Sequence, residues 1–156
     1  MPIDDARFRQ AMGHFASGVT VVTTAFGNEL YGMTVSSFAS LSLNPPLVLI
    51  CIDKSVPTHD MIKDAGCFVV NILEERQEHL SRRFATTTND KFKGVAWYSG
   101  NLGLPVLANT LAAIECRLYN TIDGGDHTIF IGEVVDAEVH EGSPLLYYRR
   151  GYHELK

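Results

Sequence analysis

Small alcohols recur at alternate positions after Gly32: Thr34, Ser36, Ser40 and Ser42, with Phe38 in the same row. In an extended strand, residues two apart share a face. The spacing therefore predicts a hydroxyl row backed by an apolar row of Met33, Val35, Ala39, Leu41 and Leu43. Ser37 is a fifth hydroxyl, on the apolar side or at a bend. Such a row can donate to a phosphate or to the carbonyls of a cofactor ring, and it equally suits a solvated sheet face. The second place for chemistry is His127, which closes the glycine-rich loop Gly124-Gly125-Asp126-His127. A histidine on a hairpin tip is expected to be exposed, mobile and free of core duties. Its ring could stack on or hydrogen-bond a planar ligand, and a solvated loop histidine fits the same residues. His14, His59, His79, His140 and His153 read as surface or cap residues.

Other chemistries lack their residues. No two histidines stand at the i, i+4 spacing of helical metal ligands, and no CxxC is present, so no metal site is expected. There is no GxSxG elbow for a serine nucleophile, and neither a GxGxxG turn nor a Walker loop for a dinucleotide or triphosphate. A chain without a triad, a metal set or an acid pair can leave the chemistry to a cofactor.

The elements that must position these residues can be read in order. Asp4 and Asp5 open a short helix with Phe8, Met12 and Phe15 on one face, and Ser17-Gly18 ends it. The β-branched run from Val19 to Thr24 predicts a strand, and Gly27-Asn28 a tight turn back into the hydroxyl row. Asn44-Pro45-Pro46 breaks the row, because proline has no N–H for a ladder. Leu47 to Ile52 is then short and apolar enough for a buried strand. Pro57-Thr58 starts a helix that Gly66 stops, with Met61, Ile62 and Ala65 inward. Cys67 to Leu73 is another strand, and Glu74 to Phe84 a helix with Leu80 and Phe84 inward and Arg82-Arg83 upon it. Asn89 to Gly103 is expected to be a surface excursion. Ala113 to Ile122 and Thr128 to Val139 pair across Asp123-Gly124-Gly125-Asp126. Many hairpin-joined strands with few short helices predict an antiparallel barrel.

The totals set outer bounds. The 156 residues suit one domain with a real core, and the 46% hydrophobic and 20% charged fractions are those of a soluble globular protein. A net charge of −5 argues against nucleic-acid or anionic-membrane surfaces while leaving room for a local basic pocket. No apolar run approaches the roughly 20 residues that span a bilayer, and no signal peptide is expected. Cys51, Cys67 and Cys116 each sit in a strand-like segment. They read as buried thiols, and hence as a reducing, cytoplasmic location.

Gly32 to Pro46 resembles the GMT-x-[SN]-[SA]-F-x-S-x-S-x-x-P-P signature of the short-chain flavin reductases, the reductase components of two-component flavin-dependent monooxygenases. Phe8 to Thr24 is similar to that family's first helix and strand. Gly125-Asp126-His127 with Gly132-Glu133-Val134 resembles its second signature, and Pro144 to Tyr148 with Tyr152-His153 its ending. The likeness extends over nearly the whole chain.

The resemblance implies one domain over residues 1–156, a mainly β, six-stranded antiparallel Greek-key split barrel with a few short flanking helices. It implies a homodimer that binds FMN or FAD and passes hydride from NADH or NADPH to the flavin, supplying a partner monooxygenase. By the same likeness Gly32, Met33, Thr34, Val35, Ser36, Ser37 and Ser40 line the flavin. Cys51, Ile52, Asp53, Lys54 and Ser55 hold the ring edge and phosphate, and Phe84 and Ala85 the turn against the ring. His127 is the catalytic position against nicotinamide, and Tyr152 lies where the C-terminal segment closes over it. Lys54, Arg82 and Arg83 are candidate phosphate partners, with a solvated helix face the other reading of the two arginines. A flavin-binding electron carrier without pyridine-nucleotide activity is the alternative, and it would have no need of His127 or the C-terminal aromatics.

Overall fold

The β-branched run after Val19 is buried on both its faces. Val22 points into one core with Ile50, Ile52, Phe68 and Phe130, and Val21 into a second with Leu73, Leu80, Phe84 and Leu145. The computed structural model describes residues 1–156. In chain order the elements are α1 (Asp5–Gly13), β1 (Ser17–Gly18), β2 (Thr20–Phe26), β3 (Glu29–Val35), β4 (Phe38–Ser42), β5 (Leu47–Asp53), α2 (Pro57–Ala65) and β6 (Cys67–Ile72). There follow a 3-10 turn (Glu75–Gln77), α3 (Glu78–Phe84), β7 (Trp97–Ser99), β8 (Pro105–Leu107), β9 (Ala112–Gly124), β10 (His127–Val139), β11 (Leu146–Tyr148) and β12 (Gly151–His153). The fold is mainly β and antiparallel, with few and short helices. No helix is long and apolar enough to cross a membrane.

Seven strands form the main sheet in the order β3-β2-β6-β9-β10-β5-β4. Its outermost strands, β3 and β4, are consecutive in the chain and separated only by Ser36 and Ser37. A flat sheet would hold those strands far apart, at nearly 5 Å per strand. The sheet must therefore curl until its two edges almost meet, with Ser36-Ser37 at the seam. The expected strand of hydroxyls is thus two strands, and the main sheet has seven strands where six were expected.

The seam also changes which side faces inward. Met33 and Val35 pack on the first core, but so does Phe38, an odd number of residues further on. Ala39 is exposed, as are Leu41 at 47% and Leu43 at 91%. The expected apolar backing thus holds only as far as Val35, and beyond the bend it turns outward.

Local signals otherwise place the elements. Pro57 begins α2, and Gly66, at φ 71°, ends it in the left-handed conformation that glycine adopts without strain. Asp4 caps α1 by accepting from the Arg7 N–H at 2.9 Å, yet Phe8 and Met12 are about half exposed and Phe15 is 76% exposed. That apolar face has no cover within the chain. The helix expected from Glu74 begins instead as a 3-10 turn, capped reciprocally by Glu74 and Gln77. The excursion after Asn89 contains β7, which pairs with β8. Of the cysteines only Cys116 is buried; Cys51 and Cys67 are partly exposed, so the expectation of three buried thiols holds for one. Burial pushes the Cys116 thiol up to about 12, with Glu115 adding to the effect.

Candidate functional site

A cleft of about 850 Å³ opens beside the seam. Three segments wall it: Glu29–Thr34 of β3, Val56–Thr58 at the start of α2, and Ala85–Lys93 after α3. Gly32 is the tight point of its floor. A β-carbon there would lie 2.8 Å from Phe84 Cε1 and 3.3 Å from Phe92 Cζ, so only a residue without a side chain lets β3 pass over these rings. Phe84 and Phe92 meet edge to face, with centroids 5.1 Å apart. Lys91 ties the walls together, its Nζ donating to the carbonyls of Gly32 at 3.0 Å and Phe84 at 3.2 Å.

The seam adjoins this cleft. Ser37 is stitched to β5: its Oγ donates to the Cys51 carbonyl at 3.0 Å, and the Cys51 N–H donates to the Ser37 carbonyl at 3.1 Å. Ser36 and Ser40 are exposed and their hydroxyls have no protein partner. Thr34 Oγ1 donates to the Ser81 carbonyl at 2.6 Å, and the Ser81 hydroxyl lies 2.7 Å from Tyr152 OH. The Arg82 guanidinium stands 4.9 Å over the Tyr152 ring. One turn of α3 thus holds both a cleft residue and the C-terminal strand.

At the far end of β5 the chain turns toward the hairpin. Asp53 Oδ1 accepts from the Ser55 N–H and hydroxyl, each at 2.8 Å, and these bonds hold the carboxyl below its ordinary range. His127 lies directly across from Asp53 in the β5–β10 ladder. Its Nδ1 is 2.7 Å from Asp126 Oδ1; a carboxylate only accepts, so Nδ1 carries a proton, and in the neutral ring Nε2 presents a lone pair. Its side chain is 43% exposed, as expected for a hairpin-tip histidine, and the residue is the first of β10.

Among the residues named from sequence, Gly32, Met33, Thr34 and Ala85 line the cleft. Ser36, Ser37 and Cys51 gather at the seam, Ser40 lies within β4 across from Val48, and Asp53, Lys54, Ser55 and His127 lie at the end of β5. Val35, Ile52 and Phe84 are buried in the cores, so their side chains shape the walls from behind. Lys54 pairs with Asp123, Arg82 with Glu78, and Arg83 donates to the carbonyls of Asp90, Lys91 and Lys93. The three cations offered for phosphate are all engaged within the protein.

Sequence reasoning missed two residues. His59 is 5% exposed, with Nε2 2.7 Å from Thr128 Oγ1 and its ring edge to face with Phe130. It is therefore a core residue bracing the strand that begins at His127, and not a surface one. Its place three residues before the inward Ile62 on α2 was the available signal. Lys91 lies in a segment with no periodicity, and nothing local marked it.

A family model described as "Flavin reductase like domain" matches residues 12–156. The reductase component of a 4-nitrophenol 4-monooxygenase/4-nitrocatechol 2-monooxygenase from Rhodococcus opacus is 47% identical over 148 residues, 95% of this chain and 80% of its own. An FMN reductase (NADH), SmoA, from Agrobacterium fabrum is 44% identical over 140 residues, 90% of this chain and 80% of its own. Among solved structures, the Streptomyces globisporus NADH:FAD oxidoreductase SgcE6, in complex with NAD and FAD fragments, superposes with a TM-score of 0.95. It is 39% identical, over 98% of this chain and 93% of that one.

Proposed function

The chain belongs to the flavin reductase like family, and from that premise we infer how its own residues serve the activity. It is an NAD(P)H-dependent flavin reductase, acting on FMN or FAD and supplying reduced flavin to a monooxygenase component. The cleft beside Gly32 carries the reading. A flavin nucleotide is a flat ring with one apolar edge, one polar edge and an anionic tail. The cleft offers Met33, Val56 and Phe92 to the first, Thr34 and Thr58 to the second, and a lysine to the third. The residues present therefore fit the group.

Bound flavin supplies the redox chemistry by accepting a hydride, so the chain needs no nucleophile of its own. Its task is to hold two flat rings in register and keep water away. In our reading Ser36, Ser37 and Ser40 flank the ring and its side chain, the former two at the seam, with Cys51 and the Asp53–Ser55 turn along the polar edge. Hydrogen-bond donors there favour the negative charge that reduction brings. His127 orients nicotinamide: with Nδ1–H held by Asp126, Nε2 can accept from a carboxamide. Tyr152, pinned to Ser81, covers the second ring.

The fold is then one domain, a six-stranded Greek-key split barrel in which β3 and β4 count as one bent strand. The uncovered face of α1 (Phe8, Met12, Phe15) supports a homodimer, and sedimentation would give twice the 17.2 kDa of one chain. Unpaired thiols support a cytoplasmic location. The deciding measurement is anaerobic: the flavin absorbance of the protein with added FMN or FAD should bleach on NADH or NADPH. Saturable flavin binding without bleaching would leave an electron carrier, and no saturable spectral change would remove the flavin site.

A further inference from the structure

His59 is a polar ring set in an apolar core, and nothing in the cleft touches it. It is 5% exposed, its ring stands edge to face with Phe130 at 5.2 Å between centroids, and both of its nitrogens are bonded. Nδ1 lies 2.9 Å from Asp60 Oδ1 and so carries a proton; in the neutral ring Nε2 then accepts from the Thr128 hydroxyl at 2.7 Å. That is the one hydrogen bond joining α2 to β10. An apolar side chain would fill the same place at a lower desolvation cost, so the bond is what the imidazole adds.

Both ends of that bond lie next to the site. On α2, His59 directly follows Val56–Thr58, which wall the cleft. On β10, Thr128 directly follows His127 and is the first buried residue after the hairpin tip. Residues 119–126 are all exposed, so the tip has no buried side chain of its own. Pinning Thr128 therefore sets where β10 leaves the core, and with it the place of His127.

We propose that His59 is a positioning residue for the reduction step: through Thr128 it holds His127 at a fixed distance from the α2 wall, so that nicotinamide meets the flavin in register. This rests on the reading of His127 as the nicotinamide residue. The competing account is that His59 only completes the core.

The two accounts separate in the FMN-loaded protein, mixed anaerobically with increasing NADH in a stopped-flow cell. The proteins compared are the parent, His59→Leu, His59→Gln, Thr128→Val and His59→Leu/Thr128→Val, each with and without His127→Ala. The limiting reduction rate divided by the NADH dissociation constant should fall about fivefold in His59→Leu and in Thr128→Val, the scale of one lost net hydrogen bond. The double variant should lose no more than either single one, because both remove the same bond. His59→Gln, whose side-chain oxygen can accept from Thr128, should return to within about twofold of the parent, and flavin Kd, read by fluorescence quenching, should stay within about twofold throughout. On the His127→Ala background the substitutions should have no further effect, since the residue they act through is gone. A residue that only completes the core would lower the rate by the same factor with or without His127. Thr128→Val keeps the shape of its side chain, so it carries the test should His59→Leu fail to fold. An unchanged rate, an equal loss of flavin affinity, or a loss that adds to that of His127→Ala overturns the assignment and leaves His127 in its role. A His127→Ala protein reduced as fast as the parent would instead reject the nicotinamide reading, and the role of His59 with it.

Discussion

Replacing Gly32 by alanine tests whether the cleft floor is built as described. The added carbon would stand 2.8 and 2.9 Å from two atoms of the Phe84 ring and 3.3 Å from Phe92. Ordinary carbon–carbon contact begins at about 3.5 Å, so Phe84 would have to retreat by about 0.7 Å. It has nowhere easy to go: the ring is fully buried, packed with Val19, Val21, Leu73, Leu80, Leu107 and Leu145. Overpacking of this kind costs about 1–3 kcal/mol. At about 3 °C per kcal/mol for a chain of this size, Gly32→Ala should melt roughly 3–9 °C lower. Because the same ring backs the cleft, the flavin Kd should rise as well. Phe84→Leu frees space beside the new methyl, so the double variant Gly32→Ala/Phe84→Leu should be more stable than the sum of the single losses by about 1 kcal/mol. A Gly32→Ala protein that melts with the parent and binds flavin equally would refute the close approach of β3 to Phe84. Strict additivity with Phe84→Leu would place the strain elsewhere.

His127→Ala should raise the KM for NADH, or slow flavin reduction, with little change in flavin Kd; stopped-flow reduction beside a flavin titration reads both, and equal loss of the two rejects the nicotinamide role. Ser36→Ala should weaken flavin binding by about 1 kcal/mol, roughly fivefold, with thermal stability unchanged, since its hydroxyl has no protein partner. Ser37→Ala should instead lower the melting temperature, because its hydroxyl is spent on the Cys51 carbonyl, and the two outcomes exchanged would mean the seam is misassigned. Asp53 makes an acid prediction. Its folded pKa is depressed by the Ser55 bonds, so its contribution is present at neutral pH and is lost as pH falls through that lowered value, below about 3.9. Asp53→Asn has no charge to lose there, and its melting temperature should fall less steeply than the parent's on acidification to pH 3. Parallel curves would show that the turn does not depend on the ionised carboxylate.

The parts of this molecule legible in sequence were those decided within a few residues. Pro57 and Gly66 bound α2, Gly27-Asn28 and Gly124-Gly125 turn hairpins, and the β-branched run after Val19 makes a strand, because each reflects backbone sterics local to the residue. The face reversal at Ser36-Ser37 was not legible. Period-two reasoning assumes that a strand stays in one sheet edge, and what breaks this one is closure against strands far away in sequence. His127 was found together with Asp126 beside it, but its place across from Asp53 was not, because that ladder pairing has no local signal. The Trp97–Ser99 strand escaped because three residues cannot display a period. Lys91 escaped because a cation's use depends on which charges face it.

The long-range contacts converge on α3, which ties a wall of the cleft to the C-terminal strand. Thr34 Oγ1 binds the Ser81 carbonyl from one side, and Tyr152 OH meets the Ser81 hydroxyl from the other. One turn later Phe84 lies under Gly32, and its carbonyl receives Lys91. Ser81 is fully buried, so neither of its bonds can be replaced by water without opening the helix from the sheet. A shift of α3 relative to β3 therefore displaces the cleft floor and the Tyr152 strand together. Two independently hinged walls would order two flat rings one at a time. In the reading proposed above, a single helix bonded to both would keep the gap between them constant, the distance to which stacked hydride transfer is most sensitive.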